Sequence, residues 1–171
     1  VRNIAHGKDF LNLYCYTATF TCYAAKGGAR SSLSADRSES TIQWARENLK
    51  INGFLDPNHE LIGADTMHLL QDLRNKGRSF DLAVVDPPSF STTRCSNREF
   101  DVSRDHPELL EAVIPVMRPD SIIFFSTNHQ NFHPRMDHLR VSEIREITDQ
   151  TIPEDYANKR KKIHRCWRIH L

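Results

Sequence analysis

Three aspartates, Asp36, Asp65 and Asp86, each follow a short apolar run that reads as a β-strand. In an open parallel sheet a ligand lies over the carboxyl ends of the strands, so acids closing successive strands face one crevice. A carboxylate has two acceptor oxygens and can take both hydroxyls of a ribose. Asp36, closing the second run, is the candidate for that task; its competing role is to cap the helix after Arg37-Ser38. Asp65, closing the third, can accept from an adenine exocyclic amine, cap the helix starting near Met67, or do both. Asp86 opens the segment DPPSF, residues 86–90. Its two prolines fix φ and restrict the residue before each, so the loop is stiff and extended. Asp86 and the Pro87 carbonyl can then accept the N–H groups of a flat base while Phe90 stacks on its face. The alternative is a proline turn that ends a buried strand, with Phe90 in the core.

The stretch that must position these groups is FLNLYCYTATF, Phe10 to Phe20. Phe10 to Leu13 reads as a buried strand, Tyr14 to Thr17 as the turn leaving it, and Thr19 as the N-cap of a helix over Phe20 to Lys26. A strand that turns sharply into a helix aims backbone N–H groups and a positive dipole end at the crevice. A dinucleotide there would require glycines for close approach of a pyrophosphate, and none occurs between Tyr14 and Lys26, which argues against a nicotinamide-dependent oxidoreductase. S-adenosylmethionine carries a ribose, an adenine and a zwitterionic amino-acid end but no phosphate. It needs only a small residue at the tightest point, which Ala18 supplies.

Strand and helix signals alternate along the chain, which implies an α/β fold of parallel strands with crossover helices on both faces. Gly27-Gly28 stops the first helix, Ser31 to Ala35 is the second strand, and Ser38 caps a helix whose Ile42, Ala45 and Leu49 recur at helical spacing. Glu60 to Gly63, Asp81 to Val85, Ile122 to Ser126, Ile144 to Ile147 and Cys166 to Leu171 read as further strands, and Met67 to Asn75 and Arg104 to Met117 as helices, the latter kinked or stopped at Pro115. Ser91 to Ser103 is a long polar loop of the kind that forms a lid.

Bulk composition narrows the classes. With 171 residues, 39% apolar, the chain suits a single domain spanning 1–171. A formal charge of +1 excludes a uniformly basic nucleic-acid binder, so any such contact must come from a patch. One candidate is Lys159, Arg160, Lys161, Lys162, Arg165 and Arg168, a run without acids that is either a phosphate-binding patch or a solvated loop. No apolar run approaches the roughly 20 residues of a membrane span, and the start VRNIAHGKDF lacks a signal-peptide core, so a cytoplasmic location without membrane partner is expected. Cys15, Cys22, Cys95 and Cys166 lack paired C-x-x-C spacing and read as free thiols. His129 and His133 are four apart, but Pro134 makes their segment a loop, and no metal site is expected.

The segments NLYCYTATFTCYAAKGGARS, SADRSESTIQWARENLKING, DPPSF, the RDH at Arg104 to His106 and DYANKRKKIHRCW together resemble class I S-adenosylmethionine-dependent methyltransferases of bacterial 23S rRNA. The similarity is greatest to the C-terminal, guanine-N7-methylating half of the bifunctional large-subunit enzymes, whose upstream RNA-binding region and second methyltransferase unit have no counterpart in these residues. It implies a Rossmann-like, mainly parallel seven-stranded sheet with an antiparallel last strand. It also implies that Asn12, Tyr16, Thr17, Ala18 and Thr19, flanked by Tyr14 and Phe20, line the methionine end of S-adenosyl-L-methionine. Asp36 with Arg37 and Ser38 would hold the ribose, Asp65 with Ala64 and Thr66 the adenine, and Asp86, Pro87 and Phe90 the target base. Ala18 stands where that family usually has glycine. Apart from the resemblance, the basic run Lys159, Arg160, Lys161, Lys162 and Arg165 would meet RNA phosphates, and Arg104 and His106 are candidate RNA contacts, with a helix-start cap as the alternative for His106. The implied reaction is in-line displacement by guanine N7, which has a lone pair and no proton to lose. Other readings are methylation of guanine N2, or of cytosine C5, or a catalytically inactive RNA-binding module. The C5 chemistry needs a thiolate, and relatives that perform it carry a cysteine after the fifth strand; this chain has Ser126-Thr127-Asn128 there, with Cys95 in the lid loop as the only substitute.

Overall fold

In the computed structural model, which describes residues 1–91, 100–157 and 163–171, the apolar runs are strands: β1 Asp9–Leu13, β2 Ser31–Asp36, β3 His59–Gly63, β4 Phe80–Val85, β5 Met117–Thr127, β6 Glu143–Glu146 and β7 Arg165–His170. Among the described residues these seven form one sheet in the order β3-β2-β1-β4-β5-β7-β6. Pairing is parallel from β3 through β5, whereas β7 runs antiparallel to both its neighbours. The strand order reverses at β1, which lies between β2 and β4, and a crevice opens above such a switch point.

Four helices cross over: α1 Thr19–Lys26, α2 Glu39–Ile51, α3 Thr66–Asn75 and α4 Val102–Val113. Side chains alternate across each strand, which divides the core between the two faces. On one face Leu11, Leu13, Ala83, Val85, Ile123 and Phe125 pack with Leu69, Leu70 and Leu73 of α3 and Leu109, Leu110 and Val113 of α4. On the other, Phe10, Leu82, Val84 and Ile122 pack with Ala5 and with Ala24 of α1. Burying a side chain of this size contributes about 1.5–3 kcal/mol, so the doubly covered strands β1 and β4 are the mechanical base of the crevice.

Several element boundaries depart from the sequence reading. The N-cap of α1 is Ala18, in the left-handed conformation and without a side-chain bond, while Thr19 is already helical. Helix α4 begins at Val102 rather than Arg104, because the Asp101 side chain caps it by accepting from the Ser103 N–H at 2.8 Å. Pro107 sits inside that helix and removes the N–H that would bond to the Ser103 carbonyl. The Arg135 guanidinium replaces it, donating to the carbonyls of Ser103 at 3.2 Å and Arg104 at 2.6 Å. A 3₁₀ turn over Ile114–Val116 contains Pro115, and β5 starts directly after it. The expected lid enters and leaves through a short antiparallel pairing of Phe90–Ser91 with Phe100–Asp101; Cys95 lies outside the described residues.

Candidate active site

Beyond Leu13 the chain turns through three left-handed residues, Tyr14 (φ 57°), Tyr16 (φ 47°) and Ala18 (φ 56°). Each costs an L-residue roughly 1–2 kcal/mol, so the turn must be braced from outside. The Cys15 N–H donates to the Ala35 carbonyl at 2.9 Å, the Tyr16 N–H to Asp36 Oδ2 at 3.1 Å, and the Asn48 amide of α2 to the Thr17 carbonyl at 2.9 Å. The Tyr14 ring lies 6.0 Å from that of Phe100, and burial pushes its hydroxyl up to about 12, so it stays protonated. The Ala18 methyl is fully buried.

Asp36 serves the turn and the next helix together: Oδ2 accepts from Tyr16 and Oδ1 from the Ser38 N–H at 3.0 Å. Each oxygen keeps a further lone pair, so bracing and ligand binding are compatible. Ser38 in turn caps α2 by accepting from the Thr41 N–H at 3.3 Å. Asp65 caps α3, its Oδ1 accepting from the Met67 and His68 N–H groups at 3.0 and 3.2 Å. At the end of β4, Asp86 Oδ1 accepts from the Ser126 hydroxyl at 2.6 Å. Pro87 is buried, whereas Phe90 is 63% exposed with its ring edge-on to His129 at 5.8 Å, which removes the reading of Phe90 as a core residue.

Of these groups Tyr14, Tyr16, Asp36, Asp65, Asp86 and Ser126 open onto one cleft of about 1760 Å³, whereas Ala18 and Phe90 are not on its wall. Phe20, Arg37, Ser38, Thr66 and Pro87 also reach it. Pockets for single small ligands run to roughly 300–1,000 Å³, so the space accommodates a nucleoside together with a second group.

Other residues singled out in the sequence lie elsewhere. Asn12 is buried beneath the turn, where its amide donates to Thr21 Oγ1 at 2.9 Å and Thr21 meets Ser34 Oγ at 2.7 Å; it supports the turn from below rather than lining the cleft. Thr17 and Thr19 face each other at the start of α1, with hydroxyls 3.4 Å apart, and Ala64 packs against the core; none of the three is on the cleft wall. Arg104 forks onto the Asp105 carboxylate with two contacts of 2.8 Å.

Two of the expected RNA contacts are corrected. His106 is completely buried: Nδ1 donates to the Val102 carbonyl at 2.7 Å and Nε2 accepts from the Arg135 N–H at 2.9 Å, so it is neither a phosphate contact nor a cap. Arg165 grips both carboxylate oxygens of Glu146 at 3.0 and 2.7 Å, donates to the Phe132 carbonyl at 2.7 Å and covers the Trp167 ring at 4.7 Å. Its guanidinium is a strut between β6 and β7. Lys159, Arg160, Lys161 and Lys162 lie outside the described residues.

Burial pushes the thiols of Cys15 and Cys166 up to about 12, which leaves both protonated and poor nucleophiles at neutral pH. Among the described residues no group of three or more His, Cys, Asp or Glu is arranged to hold a metal ion, and no helix is long and apolar enough to cross a membrane. The contributors to which the sequence reading gave no role in the site are Ser126, Asn128, His129 and Asn48. Ser126 lies at the carboxyl end of β5, one residue before its last, and the strand-end rule that selected the three aspartates points to that edge. Asn48 lies mid-helix and carries no local signal.

Residues 1–155 match the family described as S-adenosylmethionine-dependent methyltransferase. The chain is 43% identical over 172 residues to ribosomal RNA large subunit methyltransferase K of Neisseria meningitidis serogroup B, covering 99% of this chain and 47% of that protein. It is 44% identical over 172 residues to ribosomal RNA large subunit methyltransferase K/L of Pseudomonas entomophila, covering 100% of this chain and 23% of that one. The chain therefore spans about half the length of the first relative and under a quarter of the second. Among solved structures, a protein described as a methyltransferase complexed with SAH superposes with a TM-score of 0.88 at 25% identity, covering 99% of this chain and 47% of that one.

Proposed function

The chain belongs to the S-adenosylmethionine-dependent methyltransferase family, and from that premise we propose that it methylates N7 of a guanine in 23S rRNA. The observation that carries the reading is the meeting of Asp36, Asp65 and Asp86, from the ends of three strands, on one cleft. The names of the relatives, both large-subunit rRNA methyltransferases, support the substrate class.

The donor set suits the cofactor. A glycine-free turn offers no pyrophosphate cradle, whereas carboxylates suit a ligand that presents ribose hydroxyls, an adenine amine and a sulfonium cation. Asp36 accepts the ribose hydroxyls through the lone pairs that Tyr16 and Ser38 leave free, and Asp65 accepts from the adenine amine. The turn from Tyr14 to Phe20 holds the amino-acid end. Bound S-adenosylmethionine supplies a methyl on positive sulfur, whose C–S bond breaks as the bond to the guanine nitrogen forms. Asp86 and the Pro87 carbonyl accept N–H groups of the guanine edge while Phe90 stacks on its face. Because N7 has no proton to lose, no general base is required, and the protein's contribution is proximity and orientation. Cys15 and Cys166, kept protonated by burial, are not primed for a thiolate-dependent attack on cytosine, and the chain leaving β5 offers Ser126-Thr127-Asn128 instead of a thiol.

The test is methyl transfer from labelled S-adenosylmethionine to protein-free 23S rRNA, with 16S rRNA as control and mass spectrometry of the digested nucleosides. 7-Methylguanosine from 23S rRNA alone is expected. Methylated N2 of guanine or C5 of cytosine would overturn the assigned atom, and equal transfer to 16S rRNA the assigned substrate.

A further inference from the structure

The segment that follows β5 is stapled to the loop that follows β4. Ser126 donates to Asp86 at 2.6 Å, Ser89 donates to Asn128 Oδ1 at 2.7 Å, and the His129 ring meets Phe90 edge-on. The register explains the first contact. Val85 pairs with Phe125 in the parallel ladder, so Asp86 and Ser126 are the next residues on neighbouring strands, side by side at the carboxyl edge. Ser126 is also held from its other side, where it pairs with Cys166 of β7. The buried Thr127 fixes the turn beyond by accepting from the His129 N–H at 3.2 Å. The hydroxyl is therefore mounted on the sheet, while the group it holds starts a loop whose own backbone tether, from the Asp86 N–H to the Leu13 carbonyl, is a long 3.5 Å.

We infer that Ser126 is a positioning residue for methyl transfer, locking the Asp86 carboxylate so that its remaining acceptor sites face the target base. The inference rests on the reading of Asp86 as the base's acceptor. A hydroxyl bond to a carboxylate at this length is of the strong, charge-assisted kind, and it occupies one site on Oδ1, leaving Oδ2 for the N–H edge of the base. A freely rotating carboxylate would present either oxygen in many orientations, and catalysis by proximity is sensitive to misplacement of about 1 Å.

Single-turnover methyl transfer to 23S rRNA at saturating cofactor tests this, alongside calorimetric affinity for S-adenosylmethionine. Ser126→Ala is expected to slow transfer about tenfold with cofactor affinity within about twofold, and Ser126→Thr, which keeps the hydroxyl, to restore most of the rate. In an Asp86→Asn background, Ser126→Ala is expected to add little, since the pair acts as a unit. A full rate for Ser126→Ala beside a slow Asp86→Asn would overturn the role of Ser126 alone. Cofactor affinity falling in step with rate, or equal slowing in both backgrounds, would overturn it too. A full rate for Asp86→Asn, or no transfer by the parent chain, would sink the reading of the site and this inference with it.

Discussion

At Ala18 the chain holds an L-residue at φ 56° with its methyl fully buried and away from the cleft wall. The conformation costs roughly 1–2 kcal/mol. Glycine would relieve it but would free the unfolded chain by about 0.4–1 kcal/mol and remove a buried methyl worth about 0.8 kcal/mol. Ala18→Gly is therefore expected to leave stability within about 1 kcal/mol of the parent in urea unfolding, and cofactor affinity within about threefold by calorimetry. A tenfold gain in affinity would mean that the methyl intrudes on the ligand. Asp36 should behave oppositely. Its carboxylate braces Tyr16 and Ser38 and faces the cleft, and bonds to a charged acceptor are worth about 1.5–3 kcal/mol each. Asp36→Ala is expected to weaken cofactor binding by about 10–100-fold; unchanged affinity would remove Asp36 from the ribose site.

At the scale of elements, helix α4 is joined to the segment after β5 through His106, whose ring touches Phe125 and Phe132 and bonds to Val102 and Arg135. Burial lowers its affinity for a proton relative to an ordinary imidazole of about 6.5. The unfolded chain then binds the proton first, so the contribution of His106 is complete above that value and diminishes as pH falls below it. Urea unfolding should accordingly show stability decreasing from pH 7 to pH 5. His106→Leu should flatten that slope while costing about 1–3 kcal/mol at pH 7, because the Arg135 N–H is left without its acceptor. An unaltered slope would place the titration elsewhere. Arg165 ties the end of β6 to the start of β7. Arg165→Met is expected to lower stability by about 1–3 kcal/mol and to leave the salt dependence of RNA binding as it was; a flatter salt dependence would return it to the RNA surface.

Over the whole molecule, charge is sorted by the two ends of the sheet. At the amino ends of β1 and β4, Asp9 and Asp81 are bridged by Arg118 at 2.9 and 2.7 Å, and Arg30 donates to Asp9 at 2.9 Å, so opposite charges meet away from the cleft. At the carboxyl ends the three acids stand on the cleft wall. A polyanionic RNA meets no net attraction from a chain of formal charge +1, and attraction must be local. The candidate for it in the sequence is the run Lys159 to Lys162. Reversing those charges is expected to weaken RNA binding and to reduce the slope of log affinity against log salt by about 0.7 for each single-strand phosphate that the variant no longer neutralises. Identical slopes for parent and variant would refute the patch.

Much of the fold and half of the site are local facts and were legible in the residues. Short apolar runs flanked by turn formers and alternating with helical periodicity mark strands, the ends of parallel strands share one edge, and a turn without glycine lacks the close backbone approach that a pyrophosphate requires. That reasoning located Asp36, Asp65 and Asp86 and the turn between Tyr14 and Phe20. It could not distinguish a surface cation or imidazole from an internal one, because burial and pairing are decided by residues remote in the chain. His106 meets Arg135 across 29 positions, Arg165 meets Phe132 across 33, and Ser126 meets Asp86 across 40. Local patterning carries no record of such meetings. Only the packing of the sheet turned one expected RNA contact into a core residue, another into a strut, and a serine without an assigned role into the hydrogen-bond partner of Asp86.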